Sequence, residues 1–384
     1  MKKYFFIGIV GLALLEIGRI YFIMPMPGSQ KWDSLHLAYF LHSYRWTGIF
    51  LFGAMLLIGA KSAFASSKWL SGILTLHLLG FIYMFNFKMT ADKMFLQPEN
   101  LTFSSFEENS LVDSSLVLVA SYKGEAKAYP IRYIAYHHQV RDQIGGKDIM
   151  VTYCSVCRSG RIFEPVVNGQ TENFRLVGMD HFNAMFEDQS TGSWWQQANW
   201  EAVTGPLKGY QLPELASSQM SLGKFFSLYP SGQVMNGDPK FLSKYDSLGK
   251  FEFGLSKSKL TGTDSLSWKQ KSWVVGVRIN GKTKAFDWND LKAQQIILDQ
   301  LAGKPIALVI SEDRNSFRVF LRPSNQHKIK LIPGDKIIFN EDTLNFNGVN
   351  IKTGAQELIS ITAYQEFWHS WKTFNPGTEI YSPK

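Results

Sequence analysis

Cysteine is nearly absent from this chain: only Cys154 and Cys157 occur among 384 residues. A disulfide-dense secreted scaffold is therefore excluded, as is a four-thiolate zinc site built from one chain. Whatever the thiols do, they do as a pair. Charge is also scarce, at 19% of residues. The deficit lies at the start, where charged side chains between residues 4 and 87 are few and isolated. The net charge of +8 is spread thinly, and no run of Lys and Arg is long enough to follow a nucleic-acid backbone, so no nucleic-acid partner is expected. The excess suits a protein beside an anionic membrane or wall, and equally a basic chain with no such neighbour. No Ser-His-Asp or phosphate-loop pattern points to a hydrolase or an NTPase.

Three apolar stretches are present, over residues 4–23, 41–60 and 69–87. Each approaches the roughly 20 residues that cross a hydrocarbon core. Glu16 and Arg19 interrupt the first, and no small-x-small cleavage site follows before Pro25 and Pro27. An uncleaved span is expected there, in preference to a signal peptide. Lys2 and Lys3 precede the first stretch, and Lys61 and Lys68 lie between the second and third. Basic flanks face the cytoplasm, so three crossings place everything after Lys88 outside it. The expected location is a cell membrane, multi-pass, with the bilayer as partner and the C-terminal region extracytoplasmic. The second stretch is strictly apolar only from Trp46 to Ala60, and the orientation depends on its crossing.

Beyond the anchor (residues 1–90) the chain repeats itself at a constant offset of 157, measured from Lys147 to Lys304. Asp142-Gln143-Ile144-Gly145-Gly146-Lys147 returns as Asp299-Gln300-Leu301-Ala302-Gly303-Lys304, and Arg161-Ile162-Phe163 as Arg318-Val319-Phe320. Two tandem copies are expected, over residues 105–260 and 261–384. Each reads as a hairpin, a short helix (from Pro130 in the first copy), a Gly-Lys turn into a strong strand, a return strand and a late helix capped by Ser221 or Thr362. The expected class is N-terminal transmembrane helices plus a β-rich α+β soluble region.

The copies differ where chemistry is conceivable. Cys154 and Cys157 lie between the strong strand and its return, where the second copy has Ser311 and Arg314. The turn is therefore made without thiols in one copy, which weakens the reading of a turn-closing disulfide. A second segment without counterpart, residues 178–188, holds Met179, Asp180, His181 and Met185, and Trp194, Trp195 and Trp200 follow. Taken singly, such thioethers are more often core filler and such tryptophans a packed edge. His137 and His138 correspond to Gln294 and Gln295 of the second copy, and either imidazole is a candidate to reach the thiol turn.

With these residues in view, Tyr153-Cys154-Ser155-Val156-Cys157-Arg158-Ser159-Gly160 resembles the thiol motif of the bacterial and archaeal family catalogued as domain of unknown function 3179. Residues 178–188, 191–195 and 201–209 resemble it too, in a subgroup carrying an N-terminal transmembrane module. The resemblance spans roughly residues 116–235. Cys154 and Cys157 match the family's paired cysteines, whereas Arg158 stands where a small residue is usual. Residues 181–185 read like one subgroup only. The resemblance implies domain limits and brings no activity.

Three readings follow. In the first, Cys154, Cys157, His181 and one of Met179 or Met185 converge on a copper or zinc ion, a complete soft set. In the second, the thiols cycle with a disulfide, with Arg158 and Arg161 lowering the thiolate pKa. In the third, Trp194, Trp195 and Trp200 bind glycan or wall without catalysis. Arg158 stands where haem attachment requires His, which counts against that use of the pair.

Overall fold

The structure, a computed structural model, describes residues 1–383. The chain forms two compact units: Met1–Leu96 with Glu172–Gln211, and Gln97–Thr171 with Leu212–Lys384. This division departs from the sequence-based limits, which kept residues 172–211 within the first copy.

In the first unit three helices are long and apolar enough to cross a membrane: Lys2–Tyr21, Arg45–Ser66 and Lys68–Lys88. The second starts later than expected, because Tyr44 separates it from the short helix Leu35–Ser43. Glycines let the first two spans approach backbone to backbone: a Cβ on Gly8 would lie 2.6 Å from Leu56 N, and one on Gly59 would lie 2.2 Å from Phe5 N. Glu16 is buried between Arg19 (3.0 Å) and Asn86 (3.0 Å), which answers the cost of a carboxylate among apolar helices. Strands Phe174–Asp180, Asn183–Asp188, Trp194–Gln196 and Ala202–Thr204 form one antiparallel sheet in sequence order. Its residues pack on the chain around the helix ends: Met179 N–H donates to Ile23 O, and Met185 and Trp194 share a core with Ile20, Ile23 and Met24.

The second unit is β-rich and has two halves. In the first half, strands Leu116–Tyr122 and Glu125–Pro130 form a hairpin, then helix Ile131–His137 leads to strands Gln139–Ile144, Lys147–Cys154 and Ser159–Phe163. In the second half, Trp273–Ile279 and Lys282–Asp287 precede helix Trp288–Gln294 and strands Ile296–Leu301, Lys304–Ile310 and Phe317–Leu321. Their registers share the 157-residue spacing. Val117 pairs with Pro130 and Val274 with Asp287; Gln139 pairs with Thr152 and Ile296 with Val309; Met150 pairs with Phe163 and Ala307 with Phe320. Gly146 and Gly303 occupy corresponding turns in the left-handed region, with φ of 79° and 73°.

The closing helices differ from one another. Ser221 caps Leu222–Leu228, as expected, by accepting from Lys224 N at 3.1 Å. Thr362 caps nothing: helix Trp368–Phe374 begins after Phe367 and has no side-chain cap. Its first N–H groups already have carbonyl partners, Trp368 N on Ser272 O (2.9 Å) and His369 N on Gln270 O (3.0 Å).

Candidate functional site

Cys154 and Cys157 lie on the turn between adjacent antiparallel strands, as expected, with Cys154 opposite Ser159. Both are buried, and no disulfide joins them in this structure. The second half wraps this turn. Phe367 N–H donates to Cys157 O at 2.9 Å. The Lys271 ammonium donates to Val156 O (2.6 Å) and Leu260 O (2.7 Å), and lies 3.1 Å from His369 Nε2. His369 Nε2 also lies 3.2 Å from Val156 O, so the ammonium and the imidazole meet at one carbonyl of the residue next to Cys157. Burial pushes the Lys271 pKa down, while Cys157 and Cys154 beside it push it up. Burial, and then Lys271, hold His369 down at about 4, so its imidazole is neutral at pH 7.

The two arginines of the motif are committed elsewhere. Arg158 donates to Phe251 O (3.0 Å) and Glu252 O (2.8 Å) at the C-terminus of helix Leu242–Glu252, where a cation meets the negative helix end. Its guanidinium lies 3.7 Å over the Trp273 ring. Arg161 pairs with Glu366 at 3.0 Å, with both groups buried, and lies 3.7 Å over Tyr364. Lys271 is thus the cation at the thiol turn, and sequence reasoning missed it. Lys271, His369 and Glu366 come from far along the chain, and only the halves' pairing brings them in.

His138 Nδ1 bonds Tyr153 O at 2.7 Å, so one imidazole does reach the backbone beside Cys154, and burial holds its pKa at about 4. His137 turns away to Tyr245 OH at 2.6 Å.

The remaining candidates belong to the first unit. His181 contacts Asp180 (2.9 Å) and Asp33 (3.6 Å); the Asp180 hydrogen bond raises its pKa. Met185 is core, as noted above. Trp194, Trp195 and Trp200 are fully buried, so they offer no exposed platform for a glycan; Trp195 and Trp200 pack on Phe174. Among the described residues, no group of three or more His, Cys, Asp or Glu is placed to hold a metal ion. The expected convergence of Cys154, Cys157 and His181 on copper or zinc has no such cluster behind it.

No curated protein and no solved structure matches this chain. One family does, over residues 98–378, which extends the resemblance at the thiol motif across both halves. Because the match takes in most of the chain, including the thiol turn and the residues of the second half that surround it, this protein belongs to the family described as Protein of unknown function (DUF3179).

Proposed function

We propose that this is a multi-pass membrane protein whose region beyond the helices lies outside the cytoplasm and works as a thiol–disulfide redox module through Cys154 and Cys157. The observation that carries the reading is the Lys271 ammonium held at Val156 O, between the two cysteines. A cation there favours thiolate over thiol. In the oxidising direction, one cysteine thiolate attacks a small external disulfide, RSSR, giving a mixed disulfide and RS⁻. The second thiolate displaces the other RS⁻, leaving a Cys154–Cys157 disulfide. The protons lost by the cysteines end on two RSH. Burial of both sulfurs limits the exchanging partner to small thiols and disulfides.

The two halves are read as tandem copies of one unit, on the strength of their common 157-residue register. In that reading the second copy does more than repeat a scaffold, since it supplies Lys271 and His369 to the thiols of the first. The orientation rests on Lys2, Lys3, Lys61 and Lys68 as inward flanks. It is supported by the sheet of residues 174–204, whose contacts Ile23, His42 and Asp92 all lie next to the opposite helix ends.

Equilibrating the full chain with glutathione buffers and trapping thiols by mass-tagged maleimide tests the redox reading. A two-thiol change with a midpoint near or above about −270 mV, in the range of exchange-active pairs, is expected. Lys271→Met should lower the thiolate fraction at pH 7. Stoichiometric copper or zinc lost on replacing both cysteines would overturn it in favour of a metal site. Protease added to intact spheroplasts should digest the region after Lys88; protection would reverse the orientation.

A further inference from the structure

The second unit contains a cleft of about 620 Å³ remote in sequence from the thiol turn, lined by Val119, Gln219, Arg318, Val349, Ser360 and Ile361 among others. Its size and its mixed lining are those of small-molecule sites. Arg318 is its only ionised side chain, and no Asp or Glu lines it. Arg318 is buried, its Nη2 donates to Asn347 Oδ1 at 2.8 Å, and its other polar neighbour is the neutral Tyr229 phenol; no carboxylate reaches it. A buried guanidinium with only neutral neighbours is costly unless a counter-charge arrives.

The other half shows what is missing. Arg161 and Arg318 stand at the same position of the two registers, opposite Thr152 and Val309. Arg161 has the carboxylate of Glu366, the ring of Tyr364, and Glu214 joined to Tyr364 OH at 2.9 Å. At the matching register positions, Glu366 (opposite Val274) becomes Met220 (opposite Val117), and Tyr364 (opposite Gly276) becomes Ser218 (opposite Val119). Glu214 (opposite Phe163) becomes Ser360 (opposite Phe320). Both acids and the ring are gone, the arginine is kept, and Ser218 and Ser360 line the cleft.

We infer that this cleft binds a small amphipathic monocarboxylate, whose carboxylate takes the place of Glu366 at Arg318 and whose apolar part lies against Val119, Val319, Val349 and Ile361. Gln219, Ser218 and Ser360 are at hand for the remaining lone pairs. Carboxylate on a buried guanidinium is a strong, charge-assisted pairing. The inference rests on the two registers and is independent of the thiols.

The test uses the full chain in nanodiscs, with empty nanodiscs as control, and 4-fluorophenylacetate as a fluorine NMR probe. Saturable line broadening, reversed by unlabelled phenylacetate, is expected. The neutral 4-fluorophenylacetamide should not bind. Arg318→Gln should weaken binding on the order of tenfold or more. Should that variant fail to fold, Ser360→Glu, at an exposed position, supplies an internal carboxylate and should abolish binding by competition. Replacing Cys154 and Cys157 by Ser should leave binding unchanged. No saturable binding at millimolar probe, equal binding of acid and amide, or wild-type binding by the folded variants would overturn the inference.

Discussion

The two hairpin turns that end at Ser159 and Ser316 have the same ladder registers and opposite chemistry. The turn of the second half is closed by its own acids. Asp313 accepts from Asn315 N (2.8 Å), Ser316 N (2.8 Å) and Ser221 Oγ (2.7 Å), and Ser311, at the position of Cys154, donates to Asp335. The turn of the first half has no acid. Its closure comes from outside, through Phe367 N–H and Lys271. Each turn takes a lysine from the other half, Lys224 at Asp335 and Lys271 at Val156 O; one turn holds carboxylates, the other a thiol pair. A carboxylate would already close such a turn, so the thiols and Lys271 are features that closure alone does not require.

The largest expected effect concerns the arginines behind the two turns. Glu366→Ala strands Arg161 in the core and should cost about 3–5 kcal/mol, the usual penalty for breaking a buried pair from one side. Arg318→Met removes a buried cation with no acid partner and should be neutral to stabilising in ligand-free protein. Chemical denaturation of the full chain measures both, and equal losses would erase the distinction between the halves.

A smaller effect follows from packing. Gly276 lies under Trp371, where a Cβ would come within 2.2 Å of the ring, while Val119 and Phe225 share a core at the corresponding positions. Gly276→Val should cost about 3 kcal/mol by overpacking. Adding Trp371→Phe should restore much of that loss, because it recreates the Val–Phe pair. A double-mutant cycle checks this, and strict additivity would count against the equivalence.

The two turns should also respond to acid in different windows. His369 has a folded pKa of about 4 against an ordinary 6.5. Between those values the unfolded chain binds more protons, so stability falls as pH drops through the window. His369→Gln should remove a contribution of roughly 2 kcal/mol, discounted for partial exposure. His138 titrates in the same window, so some slope persists. Asp313 is pushed up by burial, but Ser316 and Ser221 outweigh this and hold it below the carboxylate range. Its stabilisation is present above the unfolded pKa and is lost only as pH falls below about 4. Unfolding curves from pH 7 to 3 should therefore show the His369→Gln variant flatter between pH 6.5 and 4 and unchanged below.

Much of the fold was legible because it is local. The three apolar runs, the strand–turn–strand order, the Ser221 cap and the position of the thiols between adjacent strands all follow from short stretches of chain. The surroundings of the thiols were not legible, because Lys271, His369 and Glu366 reach the site by the pairing of the halves. The Met, His and Trp cluster of residues 178–200 misled for a different reason. A soft-metal site and a hydrophobic core draw on the same residue types, and Met185 and Trp194 sit in the core formed with Ile20 and Ile23. Only the contacts tell the two apart.

The smallest expected effect is on the thiols themselves. If closure of the turn came from a Cys154–Cys157 bridge, their removal would cost several kcal/mol, as for other structural staples. The second half makes the corresponding turn with Ser311 and Arg314, and in the first half the backbone of the turn is already engaged at Val156 O and Cys157 O. Neither bond uses a sulfur. Replacing both cysteines by Ser therefore removes two thiols and leaves those bonds in place. The buried hydroxyls cost something where they cannot find partners, and two of the three Lys271 N–H bonds are already committed to Val156 O and Leu260 O. A loss of about 1–2 kcal/mol is expected, with the maleimide-reactive two-thiol transition abolished. A loss comparable to that of Glu366→Ala would instead make the pair a structural element, and the contrast between a carboxylate turn and a working thiol turn would fail.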